Sequence, residues 1–275
     1  MPLDAKSSHK RIIINADDFG MSHEKNLAID EMMRNYICTN ASLVVNTPWT
    51  TEAVNMAFSG GYESRLSLHI NLTVGQALSY DIQKISLYCE DGNFVHRPII
   101  TKTIQILPFY VSEIRKEIET QILKFKEYGI QLNSVDSHNW VHLRLPVWLA
   151  LKPLLTKYHI SIVRPMWIGY KREEIASKKW SRYFRAIEPV LQKCKKCNII
   201  QYSSNIEQFL LAEKELEKLE LVEVFTHPDI IEGQIMDMSS SYTKQPRKKV
   251  VDNTVLISHY EKTTIQKVLE EKGER

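Results

Sequence analysis

The stretch "RIIINADDFG", residues 11–20, places two adjacent carboxylates, Asp17 and Asp18, where a short apolar run ends. The run predicts a buried β-strand over residues 11–15. Adjacent carboxylates repel each other, and on an extended backbone their side chains point in different directions. The end of this strand therefore needs something that offsets the repulsion, and the rest of the sequence has to supply it.

Short β-rich runs alternate with helical stretches along the rest of the chain. The predicted strands cover residues 11–15, 40–46, 65–72, 131–138, 160–164, 198–203 and 220–227. The predicted helices cover residues 24–36, 49–58, 112–129 and 146–159. This alternation favours an α/β fold with a parallel sheet and crossover helices. About seven strands of this kind indicate a closed or deformed (β/α) barrel, with an open doubly wound sheet as the alternative.

Three residues mark predicted helix ends or breaks. Ser112 is placed to cap the start of the third helix, and Gly129 is placed to end it. Pro153 is placed to kink or split the fourth helix.

Two segments, 73–111 and 166–197, lie outside the alternation. Within the second, the basic, aromatic stretch "KKWSRYFR" (178–185) is most simply a solvated helix face with core anchors.

The chain shows no internal repeat and no low-complexity linker. We therefore expect residues 1–275 to form one domain, with a polar N-terminal tail over 1–10 and a charged C-terminal helix or tail over 260–275. The stretch 1–10 lacks the apolar segment of a secretory signal, and no run of 18 apolar residues occurs, so we expect a cytoplasmic protein with no membrane partner.

The composition of the chain excludes few further classes of protein. Hydrophobic residues make up 43% and charged residues 25% of the chain, as in ordinary globular proteins. A net charge of +3 gives no reason to expect nucleic acid as a partner. Cys194 and Cys197 form a C-x-x-C pair, but Cys38 and Cys89 do not supply the second pair of a zinc ribbon, so free thiols are the expected state.

Polar residues recur where the predicted strands end, which is the edge at which parallel α/β folds build their sites. These residues are Asp17, Asp18, His69, Asp136, His138, His142, Arg164 and His227. Each has an ordinary structural explanation. A histidine in an apolar strand is often a satisfied core residue, an aspartate at a strand end is often a helix N-cap, and Arg164 and His227 could serve an ion pair and a turn.

Taken together, one carboxylate and two imidazoles form a ligand set suited to Zn²⁺ or another divalent ion. A cation bound by Asp18 would offset the repulsion noted above. Asp17 could then stay ionised and act as a base on metal-bound water, whose pKa falls to about 7 on Zn²⁺. Asp136 could hold a ligand histidine through its second ring nitrogen.

The motifs "NADDFG", "LHINLT" and "DSHNWVH", together with "VRP" and "THP", resemble those of the YdjC-like carbohydrate deacetylases, which include the chitooligosaccharide deacetylases. The resemblance covers most of the chain. It implies a deformed (β/α) barrel related to the polysaccharide deacetylases. It also implies one divalent metal ion held by Asp18, His69 and His138.

The same resemblance implies further roles. Asp17 would be the base that activates water, and His227 a general acid or oxyanion stabiliser. Arg164 would orient Asp17 or the substrate. The family pattern has a histidine where this chain has Trp140, which is placed to stack on a sugar ring, and His142 is expected nearby on the substrate side. Asp229 replaces a family glycine, which puts in doubt any turn that needs a positive φ there.

The resulting hypothesis is a metal-dependent hydrolase that removes N-acetyl groups from an amino sugar or oligosaccharide. Two alternatives stay open: a metal-dependent hydrolase of another amide or an ester, and a non-catalytic carbohydrate-binding protein. The ligand set admits Zn²⁺ or Mg²⁺, and the imidazoles favour Zn²⁺. The sequence also leaves the oligomeric state open, with a homodimer among the alternatives.

Overall fold

The computed structural model describes residues 10–95, 107–165, 183, 186–187, 189–191, 193–216, 218–239, 248–255 and 257–273. In these residues the strands are β1 (Arg11–Phe19), β2 (Asn40–Leu43), β3 (Leu66–Ile70), β4 (Cys89–Glu90), β5 (Asn93–Phe94), β6 (Ser134–Ser137), β7 (Ile162–Val163), β8 (Tyr202–Asn205), β9 (Leu221–Thr226), β10 (Pro228–Ile231), β11 (Gln234–Asp237), β12 (Lys248–Lys249) and β13 (Glu261–Lys262).

Eight helices lie in the same residues, and most of them connect strands of the main sheet. They are α1 (His23–Arg34), α2 (Thr50–Gly60), α3 (Tyr80–Gln83), α4 (Pro108–Glu127), α5 (Leu145–Lys157), α6 (Ile206–Ala212), α7 (Val250–Val255) and α8 (Ile265–Glu271). Short 3₁₀ segments lie at Glu63–Arg65, His138–Leu143, Lys195–Cys197 and Glu213–Leu216. No helix in the described ranges is long and apolar enough to cross a membrane.

The main sheet is parallel, with seven strands in the order β7-β6-β3-β2-β1-β9-β8. The short β13 also pairs with the start of β1. This is the strand order of a barrel that is open between β7 and β8. The predicted deformed (β/α) barrel of about seven strands is confirmed, in the form of a curled half-barrel.

The two faces of β1 pack in different environments because side chains alternate along a strand. Ile12 and Ile14 belong to the large apolar cluster that includes residues of α1, α2, α4 and α5. Ile13 instead belongs to a second apolar cluster that also contains Ile162 of β7. Since β7 lies four strands away from β1 in the sheet, a cluster that includes residues of both strands indicates that the sheet curls around its own interior.

The interior of the half-barrel changes from apolar to polar along the strands. At the amino end, Ile13 packs with Ile265, Val268 and Leu269 of α8, so the predicted C-terminal helix closes this end. Towards the carboxyl end the interior is polar. Asn15 Nδ2 donates to Ser42 Oγ at 2.8 Å. The candidate site lies at this polar, carboxyl end of the interior.

Several element boundaries differ from those predicted. β1 continues through both aspartates to Phe19, and Ser22 caps α1 instead of either aspartate. The strand predicted at 198–203 lies at Tyr202–Asn205. After β9 the chain forms an antiparallel sheet, β10-β11-β12, which the alternation did not predict.

The predicted helix signals are partly wrong. α4 begins at Pro108, so Ser112 lies inside the helix and does not cap it. Gly129, with φ of 76°, follows the end of this helix as predicted. α5 continues through Pro153. The exposed face that carries Leu149 and Pro153 explains this continuity, because the Leu149 carbonyl freed by the proline can bond to water.

The two segments outside the alternation differ in how much of them is described. The first contains α3 and the β4–β5 hairpin. Most of the second, including all of "KKWSRYFR" except Tyr183, lies outside the described residues, as do residues 1–9. All four cysteines are free thiols, as expected.

Gly20, immediately after β1, has φ of 87°, and a Cβ added there would lie 2.8 Å from the Val44 carbonyl oxygen. We expect Gly20→Ala to lower the free energy of unfolding by about 2–3 kcal/mol, because the left-handed backbone disfavours a side chain and the methyl group also meets a carbonyl. Urea denaturation measures the loss.

Gly61→Ala is the matched control for this substitution. Its φ is 66°, but an added Cβ there meets nothing within 4 Å. Only the conformational part of the cost, about 1 kcal/mol, should remain. Equal losses in the two variants would show that the close approach of Gly20 to Val44 does not constrain the fold.

Candidate metal and active site

The two carboxylates of β1 reach the same site because the strand is irregular at its end. Asp18 has φ of 71°, and the pairing of β1 with β2 shifts register between Ala16 and Phe19. On a regular strand, neighbouring side chains would lie on opposite faces. Here each of the two aspartates can join His69 in a group whose ligand atoms all lie within 4.8 Å of one another.

Asp18, His69 and His138 form the first of these groups. His138 Nδ1 lies 2.8 Å from Asp18 Oδ1, and His69 Nε2 lies 3.4 Å from the same oxygen. The three residues come from the carboxyl ends of β1, β3 and β6. The structure therefore brings together the three residues predicted to hold a metal ion.

His69 shows how well this group fits a metal. Its Nδ1 lies 2.7 Å from Asp136 Oδ1, which orients the ring. Its Nε2 is buried and makes no hydrogen bond. A buried polar nitrogen that makes no hydrogen bond is costly, and a metal ligand normally uses one ring nitrogen while a carboxylate holds the other. The side chains present therefore fit a divalent ion.

Asp17, His69 and Asp136 form the second group. Its atoms are already paired within the protein, because Asp136 bonds to His69 and the guanidinium of Arg164 contacts both carboxylates. Asp136 therefore holds Nδ1 of His69, and its role as the partner of a metal-binding histidine stays a prediction.

The charges of the site explain the shifted pKa values of its members. Burial alone would raise the pKa of Asp18, but the charge and hydrogen bond of His138 hold that pKa well below its usual value. Burial would lower the pKa of His69, but the Asp136 carboxylate raises it to about 10. A histidine binds metal only through a deprotonated ring nitrogen, so metal binding to a protonated His69 would release a proton.

The buried carboxyl groups outnumber the permanent cations near them. Asp17, Asp18, Asp136 and Glu223 are all buried. They contact Arg164 and Lys25. When the histidines are neutral, a divalent cation would supply the missing positive charge.

Arg164, which follows β7, lies at the centre of a buried ion cluster. It donates two hydrogen bonds of 2.7 Å to Asp17, one to each oxygen. Its Nη2 is 2.6 Å from Asp136 Oδ2 and 2.9 Å from Glu223 Oε1. Sequence reasoning missed Glu223, although a charged residue inside the apolar run "LVEVF" (221–225) was the available signal.

One carboxylate oxygen of Asp17 retains a lone pair that could accept a proton. Oδ1 accepts from Asn15 and from Arg164, whereas Oδ2 accepts only from Arg164 among the hydrogen bonds of the described residues. A carboxylate has about four lone-pair positions. Oδ2 therefore retains one, and it lies 3.7 Å from His227 Nε2.

His227 is positioned by residues after β9. Its Nδ1 lies 2.8 Å from Ser239 Oγ, and its backbone N–H donates to Asp237 Oδ1. Ser239 N also donates to Asp237 Oδ1. The antiparallel hairpin thus fixes the imidazole so that Nε2 faces Asp17.

Trp140 and His142 lie beside the ion cluster. The Trp140 ring centroid is 5.3 Å from that of Phe225, and Arg164 lies 5.8 Å from the Trp140 ring. His142 is fully buried, with Nδ1 2.5 Å from Ser137 Oγ and Nε2 3.3 Å from the Arg164 carbonyl oxygen. The substrate-binding roles of Trp140, His142 and Arg164 stay predictions.

Lys25 is a further residue that sequence reasoning missed. Its Nζ lies 3.4 Å from Asp18 Oδ2 and 3.8 Å from Asp229 Oδ2. Asp229 lies inside β10, and the hairpin turn with positive φ falls at Glu232 and Gly233. Asp229 therefore occupies no turn, and its carboxylate contacts the lysine that neighbours a predicted metal ligand.

The fold and the site define a parallel α/β half-barrel with one aspartate and two histidines that could hold a metal ion, and a second aspartate beside them, at the carboxyl edge of its sheet. The chain belongs to the YdjC-like protein family, whose model matches residues 11–266.

Two relatives share the same name. A protein of Brevibacillus brevis named carbohydrate deacetylase is 27% identical over 240 residues, which are 86% of this chain and 87% of that protein. Another of the same name from Clostridium beijerinckii is 28% identical over 247 residues, 88% of this chain and 90% of that protein.

A crystal structure from Enterococcus faecalis shares the fold. It is described as that of a candidate cellobiose-phosphate cleavage protein. It matches with a TM-score of 0.59 at 20% identity and covers 96% of this chain and 95% of that one.

The buried His142 should make stability depend on pH. Burial lowers its pKa to about 3, whereas an unfolded chain has a histidine pKa of about 6.5. Between these values the unfolded state binds the extra proton. The stability contribution is therefore complete above about pH 6.5 and is lost as the pH falls towards 3.

We therefore expect His142→Gln to flatten the decline of the unfolding free energy between pH 6.5 and 4.5, by up to about 1.4 kcal/mol per pH unit. Urea unfolding in the presence of EDTA measures this slope without a contribution from bound metal. His259→Gln, at an exposed histidine, should keep the wild-type slope. An unchanged slope in His142→Gln would contradict the assignment.

Proposed function

We propose that this protein is a metal-dependent hydrolase that removes N-acetyl groups from an amino sugar or an oligosaccharide. The observation that carries the proposal is the convergence of Asp18, His69 and His138 beside Asp17, whose Oδ2 faces His227 Nε2 at 3.7 Å. The family and the relatives named carbohydrate deacetylase support the sugar substrate.

Asp18, His69 and His138 would hold one divalent metal ion. Such an ion supplies a Lewis acid that polarises the amide carbonyl and makes water a better nucleophile. Two imidazole ligands favour Zn²⁺ over Mg²⁺. Asp18 Oδ1 is the carboxylate oxygen nearest to both histidines, whereas Oδ2 contacts Lys25.

Asp17 is the proposed general base. Its Oδ2 accepts the proton that the attacking water loses as the oxygen bonds to the carbonyl carbon. The paired N–H groups of Arg164 fix the plane of this carboxylate. Glu223 and Asp136 hold the guanidinium in turn, so they act as positioning residues.

His227 is the proposed general acid. When the C–N bond breaks, the leaving amine needs a proton, and His227 Nε2 faces the site. A general acid has to be the imidazolium form, in which Nδ1–H donates to Ser239 Oγ and Nε2 carries the proton that is transferred. The products are acetate and a free amino sugar, and no covalent enzyme intermediate is needed.

The remaining site residues have supporting roles in the proposal. Trp140 offers an aromatic wall on which a sugar ring can stack. Arg164 and His142 are buried. We therefore assign Arg164 to positioning Asp17, and His142 to positioning the 3₁₀ segment that carries Trp140.

The match of the family model over residues 11–266 supports a single domain. The cytoplasmic location remains part of the proposal.

Two other functions are distinguished by assay. A hydrolase of a non-sugar amide or an ester would release acid from those substrates but no acetate from N-acetylated sugars. A non-catalytic carbohydrate-binding protein would bind N-acetylated sugars without releasing acetate. Acetate release from a panel of N-acetylated sugars, simple acetamides and acetate esters, combined with a measurement of sugar binding, separates all three.

Asp17→Asn tests the mechanism. Removal of a general base is expected to lower turnover about 10²–10⁴-fold, while Asp18, His69 and His138 still bind metal. Acetate release measures turnover, and elemental analysis measures metal content. Asp81→Asn, at an exposed carboxylate paired with Lys116, should leave both unchanged. Retained turnover in Asp17→Asn would exclude Asp17 as the base.

A further inference from the structure

The carboxyl edge of the sheet carries an exposed aromatic pair that the proposed chemistry does not use. Trp49 is 42% exposed, and the His23 side chain beside it is 45% exposed. Their ring centroids lie 5.7 Å apart, with the planes tilted by 40°. An aromatic ring left in water beside a site offers a surface on which a ligand can bury its own apolar face.

Polar side chains of α1 and α2 contact this pair. Asn26 is fully buried, and its Nδ2 donates to the Trp49 carbonyl oxygen at 3.1 Å and to Glu52 Oε2 at 2.7 Å. Glu52 Oε1 in turn lies 2.8 Å from His23 Nδ1, which leaves Nε2 for a ligand. Because the His23 ring and the Trp49 backbone are held before any ligand arrives, less freedom is lost on binding.

Hydrogen bonds connect the pair to the strand that carries Asp18. Asn26 Oδ1 accepts from Gly20 N at 2.7 Å, two residues beyond Asp18. Thr47 Oγ1 donates to the Gly20 carbonyl oxygen and accepts from Trp49 N. The Trp49 backbone therefore lies within about 15 Å of Asp18, a distance that the neighbouring units of a linked saccharide can span.

We propose that Trp49 and His23 form a second sugar-binding subsite, which stacks on a unit next to the one that is deacetylated. The C–H face of a pyranose packs on the indole, and a ring hydroxyl bonds to His23 Nε2. The inference rests on the proposed function and adds to it that the substrate is an oligosaccharide in preference to a free monosaccharide.

Binding measurements in the metal-loaded Asp17→Asn protein test the subsite without turnover. Isothermal titration calorimetry compares N-acetylated oligosaccharides of two to four units with the corresponding monosaccharides. We expect Trp49→Ala to weaken oligosaccharide binding about 3–10-fold and to lower the ratio of oligosaccharide to monosaccharide affinity. Trp49→Phe should restore most of the loss, because it keeps a flat ring.

Phe58→Ala is the matched control. Phe58 is 47% exposed and lies near the other end of α2, away from the carboxyl edge of the sheet. It should leave both affinities unchanged. The hydrogen bonds of Trp49 to Asn26 and Thr47 involve only its backbone, so the alanine variant keeps them.

The outcomes separate this inference from the proposed function. Oligosaccharide binding that is unaffected by Trp49→Ala would overturn the subsite and leave the deacetylase proposal standing. Equal losses for monosaccharide and oligosaccharide would also overturn it, because they place Trp49 at the unit that reacts. Failure of every N-acetylated sugar to bind the parent protein would overturn the proposed function and the subsite with it.

Discussion

The guanidinium of Arg164 is the contact on which the site depends. It follows β7 and meets Asp17 of β1, Asp136 of β6 and Glu223 of β9, so one buried cation connects four strands of the half-barrel. The removal of one partner from a buried ion cluster leaves uncompensated charge, which costs more than the loss of a surface ion pair. The curvature of the sheet and the orientation of Asp17 are therefore linked.

The same cluster gives the two neighbouring aspartates different chemistry. Asp17 faces Arg164, which orients its carboxylate, whereas Asp18 faces His69 and His138. The left-handed backbone at Asp18 brings both side chains to one site although they are adjacent in sequence. Their repulsion is thus offset by two different sets of partners, which explains how the "DD" pair is accommodated at the end of β1.

Much of this arrangement could be predicted from the sequence. The alternation of apolar runs predicted the parallel sheet, and polar residues at strand ends predicted the residues that converge there. This succeeds because parallel strands place their carboxyl ends at one edge. A helix or a tail was predicted for residues 260–275; the structure has a helix at Ile265–Glu271, and its apolar residues Ile265, Val268 and Leu269 pack at the amino end of the half-barrel.

What the sequence could not predict depends on tertiary contacts. The extension of β1 to Phe19 follows from its pairing with β2, which no local pattern reveals. The role of Glu223 becomes clear only in the fold, where Arg164 contacts it. The role of Lys25 likewise depends on the packing of α1 beside Asp18. Ser112 was a plausible cap, but α4 begins at Pro108, a residue suited to a first helical turn.

Titration of the metal-free protein with Zn²⁺, and in parallel with Mg²⁺, tests the central claim most directly. The account predicts one ion per chain, with protons released because His69 gives up its proton. Binding should be lost in a His69→Ala/His138→Ala double variant and kept in His259→Ala, at an exposed histidine. Equal binding by the double variant, or no binding of either ion by the wild-type protein, would contradict the account.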